Sequence, residues 1–582
     1  MLRIVALFIL LLSSFRFCKS GNILSFILYT ISLFNDNLNI TCNWFNINNI
    51  SFNFDIYFSK IETLICSIVC LILAILHYSA NILYEKDKYI NNKLKLLNIF
   101  AFSMCLAICS NNIWQFYISV ELLGCISSIF VGIENNSNIN KHATIVYVYN
   151  KFASIVFLFG TILYLVHNPK YQELSILCFT IACLYKSAQI PFSNWLLHAT
   201  HANTLASILI HCATIIGIGV IFINKFYFLF KQYYYLLQIV LIISLCTSIF
   251  YSILALYQTN IKKVMACLTI ASTGIMFSMC ALNQYSISIN YFLCHAFFKS
   301  LLFLIFAYYI EYFKTKDIRQ FKNLKYLNIV GFIAVLSAVG VPPFIRSFPK
   351  LLICDTLYNY PLLINLPIEI SNCLMDIIIF KLYLQYFKTN KESIYFKFNI
   401  KQIYLLIILS IIYGFIFMIL FKYKIEHIYT NIIKNTIVIV LSYIIAYNVK
   451  DIPFVSLRNP NSFVSLRYTN LFVSIRDPNS FVSLRYTNSF VYLRYPNLFV
   501  HLQCPKLFEK KYLIKYKPIN YSNIINYINS FNNKIEQFYK DVFYNYPYKL
   551  ASSLEYINNS KYKNQIKHLL IGLVVVCIIL FF

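Results

Sequence analysis

The chain has 582 residues, of which 59% are hydrophobic and 12% charged, with a formal net charge of +28 and a mean hydropathy of +0.65. Soluble domains carry about 25% charged residues, so this composition excludes a soluble globular enzyme and points to a polytopic membrane protein. The basic excess lies in loops and in the C-terminal third, where it fits the positive-inside pattern and anionic headgroups; no soluble basic domain stands apart to bind nucleic acid.

Apolar runs recur at 2–16, 22–34, 62–84, 95–110, 113–133, 143–166, 173–190, 204–224, 233–257, 264–282, 288–310, 326–348, 351–386, 402–421, 428–447 and 564–582. A bilayer core takes about 20 residues of helix, so the runs predict an all-α bundle of about 14–16 transmembrane helices. The N-terminal run could be a signal peptide, but a first, uncleaved membrane helix is the preferred reading. Residues 454–507 differ in kind: Phe454, Phe463, Phe472, Phe481, Phe490 and Phe499 each open a nine-residue unit, with an arginine in phase in the first five units. Each unit suits a short strand and a turn. A basic β-array on the membrane surface competes here with a recent tandem duplication in a tolerant loop, and the duplication is preferred because the copies hold no residue equipped for chemistry. Residues 508–560 are polar, aromatic and helix-compatible, and would lie along the membrane before the last apolar run. The expected organisation is 1–110 N-terminal helices, 111–390 a transporting core, 391–450 further spans, 451–507 the repeat insert, 508–560 a lateral amphipathic segment and 561–582 a C-terminal anchor.

The 18 cysteines are scattered through apolar runs with no Cys-x-x-Cys pair, so they read as small core residues rather than as iron–sulfur or zinc ligands. Ionisable residues inside the apolar runs carry more information. A charge at membrane depth is costly and by default marks an ion or proton pathway. Lys186 lies in Cys-Leu-Tyr-Lys-Ser-Ala-Gln-Ile-Pro (183–191), where the proline breaks a helix beside it, and broken membrane helices line cavities. Glu121, His211, His295 and Lys299 occupy other runs. A carboxylate approaching or leaving Lys186 would switch the lysine between holding and releasing a proton. Histidines suit relay between such stations, and His295 and Lys299, four apart, share a helical face. His198, His201 and Glu134 read as loop residues. Lys262 and Lys263 follow a span end and read equally as interfacial anchors or as functional.

These segments carry a family resemblance. Lys186-Ser-Ala-Gln-Ile-Pro-Phe-Ser-Asn-Trp-Leu resembles a segment of the antiporter-like subunits of respiratory complex I. Five more strings agree in order: Val120-Glu121-Leu-Leu-Gly124, Ser207-Ile-Leu-Ile-His211-Cys-Ala-Thr214, Ile261-Lys262-Lys263-Val-Met-Ala, His295-Ala-Phe-Phe-Lys299-Ser-Leu-Leu-Phe-Leu, and Val341-Pro-Pro-Phe leading to Lys350. The subunit L type, the bacterial counterpart of mitochondrial subunit 5, fits best, since a lateral segment and a final span follow its membrane core. The resemblance implies two inverted five-helix repeats, each with a broken helix. It implies Glu121 and Lys186 as a modulating pair, His211, His295 and Lys299 along a central axis, Lys350 toward the exit, and Lys381 as a weaker station. It further implies proton translocation in an NADH-quinone oxidoreductase of the cell inner membrane or an equivalent energy-coupling membrane. No cofactor would be bound by this chain; NADH, FMN, iron–sulfur clusters and quinone would belong to partner membrane and redox subunits. A multi-subunit cation/proton antiporter and a diverged, non-pumping assembly subunit are the alternatives. The chain departs from the pattern in several places. His198-Ala-Thr-His-Ala-Asn203-Thr204-Leu205 loses two prolines and a glycine. Asn260, Leu351 and Ser154 stand where acids are usual, and Tyr291 where a histidine is frequent. Lysines are kept while several acids are not.

Overall fold

The computed structural model describes residues 1–14, 18–47, 50–84, 90–133, 137–166, 168–386, 403–408, 411, 428–449 and five short strands between 464 and 502. Two short apolar helices, α1 (Leu2–Ser13) and α2 (Cys18–Ser32), come first. At 1.5 Å per residue neither reaches across a bilayer core of about 30 Å, and they pack on each other and on later helices instead. An antiparallel hairpin of β1 (Leu38–Ile47) and β2 (Ile50–Phe58) follows, which the apolar-run reading missed. Arg3 ties this region together, donating to the carbonyls of Ser32, Asn35, Asp36 and Phe58 at 2.7–3.0 Å. It thereby satisfies backbone acceptors left over at a helix end.

Helix α3 (Lys60–Leu83) opens with a capping box in which Ser59 and Glu62 satisfy each other's backbone N–H groups. Then come α4 (Ile90–Cys109), α5 (Ile113–Gly132), α6 (Ser137–Leu165), α7 (Pro169–Lys186), α8 (Asn194–Ala199), α9 (Thr204–Cys212), α10 (Ile218–Lys225) and α11 (Tyr227–Phe230). The second half holds α12 (Tyr234–Leu256), α13 (Ile261–Ala281), α14 (Tyr285–Phe313), α15 (Asn328–Val339), α16 (Ser347–Leu357), α17 (Leu362–Tyr386) and α18 (Ile428–Val449). Asparagines 168, 203 and 260 cap α7, α9 and α13 through their side-chain oxygens. Among the described residues ten helices are long and apolar enough to cross a membrane. The protein is a multi-pass, helical membrane protein. The apolar run 351–386 resolves into α16 and α17, separated at Pro361.

Among the described residues two crossings are broken by an extended or turn segment, while the α9–α10 crossing passes through a tighter turn at Ile215–Gly217. The chain leaves the helix after α7 and resumes at α8; it leaves again after α15 and resumes at α16. Between these breaks lie the α9–α10, α12, α13 and α14 crossings, so the second broken crossing traverses the membrane opposite to the first. That is the relation an inverted repeat requires. A break at membrane depth needs internal hydrogen bonds, and the motif around Lys186 supplies them. Gln189 N–H donates to the Leu184 carbonyl (2.9 Å), the Trp195 indole to the Tyr185 carbonyl (2.9 Å), and Ile190 N–H to Thr247 Oγ1 (3.2 Å). The amide of Gln189 reaches Ser187 O and Thr273 Oγ1, both at 3.0 Å.

Close helix packing rests on small residues. A Cβ on Gly274 would meet the Ser244 carbonyl at 2.8 Å, and one on Gly219 would meet the Cys183 carbonyl at 2.6 Å. Backbone cannot give way as a side-chain tip can. Gly274→Leu is therefore expected to force α13 off α12 and to lower stability by about 1–3 kcal/mol or more, read as a fall in the thermal unfolding temperature of the detergent-purified protein. Unchanged unfolding would show that this contact is looser than its geometry.

In the repeat, β3 (Val464–Leu466), β4 (Val473–Ile475), β5 (Val482–Leu484), β6 (Val491–Leu493) and β7 (Val500–Leu502) recur every nine residues. Pairing is parallel and joins alternate units, β3–β5–β7 in one sheet and β4–β6 in another. The strand expected in each unit is present in these five. The lateral segment 508–560, the anchor 561–582 and Glu134 lie outside the described residues.

Candidate functional site: a line of buried charges

Lys186 ends α7, only 2% exposed. It fits because α5 has a glycine opposite: a Cβ on Gly124 would stand 3.0 Å from Nζ. The ammonium donates to the Asn150 carbonyl (3.1 Å) and to Ser154 Oγ (3.0 Å), with Asn150 Oδ1 at 3.5 Å. Ser154 thus accepts from the lysine as a neutral hydroxyl. Glu121 does not bond Lys186. Its carboxylate pairs with Lys151 of α6, and both side chains are half-buried. The expected Glu121–Lys186 pair is open in this structure, and Lys151 is a participant that the sequence reading passed over.

His211 (α9) and His295 and Lys299 (α14) are buried in the centre. The His211 ring stacks on Phe303 at 5.4 Å. Lys299 lies close enough to His211, and Arg346 close enough to Lys299, for their charges to act on one another. Both ring nitrogens of His211, Nε2 of His295, Ser187 Oγ and Gln189 Oε1 are buried without a protein hydrogen-bond partner. Buried polar atoms are ordinarily satisfied by protein or ordered water, and these stand out as unsatisfied among the described residues. Lys262 is buried rather than an interfacial anchor, and it donates to the Ala202 carbonyl at 2.8 Å.

At the second break three charges meet. Lys350, in the first turn of α16, donates to Asp376 Oδ2 (2.6 Å) and the Val339 carbonyl (3.2 Å). Arg346 donates through Nη1 to Asp376 Oδ1 (2.8 Å) and to the Ala338 carbonyl, and through Nη2 to Asn372 Oδ1 (3.3 Å). The two cations thereby satisfy the last carbonyls of α15, the end that attracts positive charge. All three ionised side chains are at most 3% exposed. The carboxylate beside Lys350 comes from Asp376 of α17, not from the neighbouring position, which is Leu351. Lys381 lies buried on the same helix, five residues further on.

His198 and His201 do not behave as isolated loop residues. His198 is on α8, its Nδ1 2.8 Å from Nδ1 of His142 on α6, and His201 stacks on His142 with ring centroids 3.8 Å apart. Among the described residues no group of three or more His, Cys, Asp or Glu could hold a metal ion.

Residues 110–374 match the family described as NADH:quinone oxidoreductase/Mrp antiporter, TM. This segment has an antiporter-like membrane-domain fold. The chain is 28% identical over 346 residues to NADH-quinone oxidoreductase subunit L of Rickettsia typhi (strain ATCC VR-144 / Wilmington), covering 54% of this chain and 53% of the relative. It is 30% identical over 332 residues to the subunit of the same name from Campylobacter jejuni (53% and 55%), and 28% over 291 residues to NADH-ubiquinone oxidoreductase chain 5 of Dugong dugon (47% and 48%). The chain thus spans about half the length of the curated relatives it matches. In fold, the antiporter-like domain and its flanks are similar to a chain of the Mrp complex from Dietzia sp. DQ12-45-1b, with TM-score 0.66 at 14% identity over 78% of this chain and 58% of that one. A chain of an archaeal membrane-bound sulfane sulfur reductase gives TM-score 0.64 at 16% identity, over 77% and 98%. Both breaks and every charge of this line, except Lys381 and Asp376, fall inside the matched segment 110–374.

Proposed function

We propose that this chain is a proton-translocating membrane subunit, of the subunit L type, in an NADH-quinone oxidoreductase of an energy-coupling membrane such as a bacterial inner membrane. NADH, FMN, iron–sulfur clusters and quinone are assigned to partner subunits, and this chain binds none of them. One observation carries the reading: Lys186, Lys299 and Lys350 are each at most 2% exposed, and two of them sit at helix breaks.

Burying an ammonium without a counter-ion is unfavourable by several kcal/mol, and such charges within membranes are retained for transport. With Glu121 turned to Lys151, Lys186 faces only neutral oxygens, and release of its proton is favoured. Return of the carboxylate to Lys186 favours uptake. One carboxylate choosing between two amines is therefore a switch. A proton leaving Lys186 passes by way of the polar atoms of Ser187, Gln189, His211 and His295 toward Lys299, and from there toward Lys350 and the far face.

The test is NADH-driven proton uptake by membrane vesicles whose complex carries Lys299→Ala. Uptake is expected to fall at least tenfold with the complex still assembled. Unchanged uptake in an assembled complex would overturn the proton path and favour a purely structural subunit. The likeness in fold to an Mrp complex supports a second reading, a cation/proton antiporter subunit; sodium-driven proton exchange without NADH in the same vesicles would decide for it.

A further inference from the structure

The arrangement at the second break goes beyond a lysine with an acid. Asp376 is shared: Oδ2 accepts from Lys350 at 2.6 Å and Oδ1 from Arg346 at 2.8 Å. The three side chains are walled off from solvent, and Arg346 also lies over the Phe298 ring, 5.4 Å from its centroid, beside Lys299. An arginine does not give up its proton in proteins, whereas a buried lysine does so readily. The two cations are therefore not equivalent partners for the carboxylate.

Resting on the proton-path reading above, we propose that Arg346 is a positioning residue, a proton-silent counter-charge that keeps Asp376 neutralised whether or not Lys350 holds its proton. With Lys350 protonated the cluster carries +1; with Lys350 neutral it carries zero, because the Arg346–Asp376 pair balances itself. In the release step a Nζ–H bond of Lys350 breaks, the electron pair stays on nitrogen, and the proton passes to a water molecule toward the exit. No bare carboxylate is left behind. Without Arg346 the same step would leave an uncompensated buried anion, and Asp376 would hold the proton on Lys350. Without Asp376 the cluster would carry +2 with the proton and +1 without it, and Lys350 would refuse reprotonation. At the first break the components are related, Glu121, Lys151 and Lys186, but there the carboxylate pairs with Lys151.

The charge count yields a rescue test in the assembled complex, read as proton uptake per NADH oxidised in vesicles. Arg346→Gln and Asp376→Asn are each expected to lower the ratio at least tenfold. The double variant Arg346→Gln/Asp376→Asn restores the +1/0 alternation on Lys350 and is expected to recover to within about threefold of the parent. If Asp376→Asn alone does not assemble, Arg346→Gln and the double variant carry the comparison. A double variant no better than Arg346→Gln overturns the proposal, as does Arg346→Gln pumping like the parent. A purely structural arginine would not be rescued by losing its partner as well. Lys299→Ala serves as the control: parent-like pumping there would mean that the underlying proton path has failed, whereas a dead Lys299→Ala beside a parent-like Arg346→Gln would remove only the role given to Arg346.

Discussion

Lys186→Met is expected to make the protein more stable and to stop it pumping. The lysine is 2% exposed and has two neutral acceptors near 3 Å, while Glu121 is paired with Lys151. A buried charge held only by neutral acceptors carries a desolvation penalty of several kcal/mol, so an apolar side chain of similar length is expected to raise the unfolding temperature. The measurements are thermal unfolding of the purified protein and proton uptake by vesicles, and the two should move in opposite directions. A variant less stable than the parent would mean that Lys186 is a structural hydrogen-bond donor at the end of α7. Such a trade of stability for activity is expected where a destabilising group is kept for function.

The second large effect has the opposite sign. Asp376→Asn leaves two cations, Arg346 and Lys350, buried with no anion between them. Breaking a buried pair by removing one partner costs about 3–5 kcal/mol, so the unfolding temperature should fall sharply and little complex should assemble. Removing Arg346 as well should return most of that loss, because the remaining Lys350 is again a single buried cation donating to the Val339 carbonyl. Independent additive losses in the double variant would show that the three charges do not form one unit. Comparison of the two predictions is informative. One buried lysine without an ion partner and one with a shared partner respond in opposite directions to charge removal, although both are nearly inaccessible to solvent.

Much of the antiporter-like domain was legible because a bilayer enforces simple rules. Helix crossings follow from apolar length, and the break at Ser187–Ser193 follows from Pro191 together with residues that can satisfy a broken backbone. The same rule that singled out Lys186, a charge inside an apolar run, applies equally to Arg346 and to Asp376 in Met-Asp-Ile-Ile (375–378). The pairing of Glu121 with Lys151 was not legible, since it depends on how α5 and α6 rotate about their axes. The His142, His198 and His201 cluster required the fold to bring α6 beside α8. The β1–β2 hairpin forms no long apolar run, because its strands alternate polar and apolar residues, yet Leu38–Phe58 through Ile47–Ile50 pair in register across it apart from a bulge near Trp44. In the nonapeptide repeat the unit length was plain from phenylalanine spacing, but pairing between alternate units, an 18-residue offset, was not.

The account stands most directly on the number of protons taken up per NADH oxidised by vesicles carrying the Lys186→Met complex, compared with the parent at equal amounts of assembled enzyme. A lower ratio, with NADH oxidation still measurable once the membrane is uncoupled, is the result expected if protons pass through the buried lysines. A ratio equal to that of the parent would contradict the central claim, because the proton would then reach the far side without using the charge at the first break.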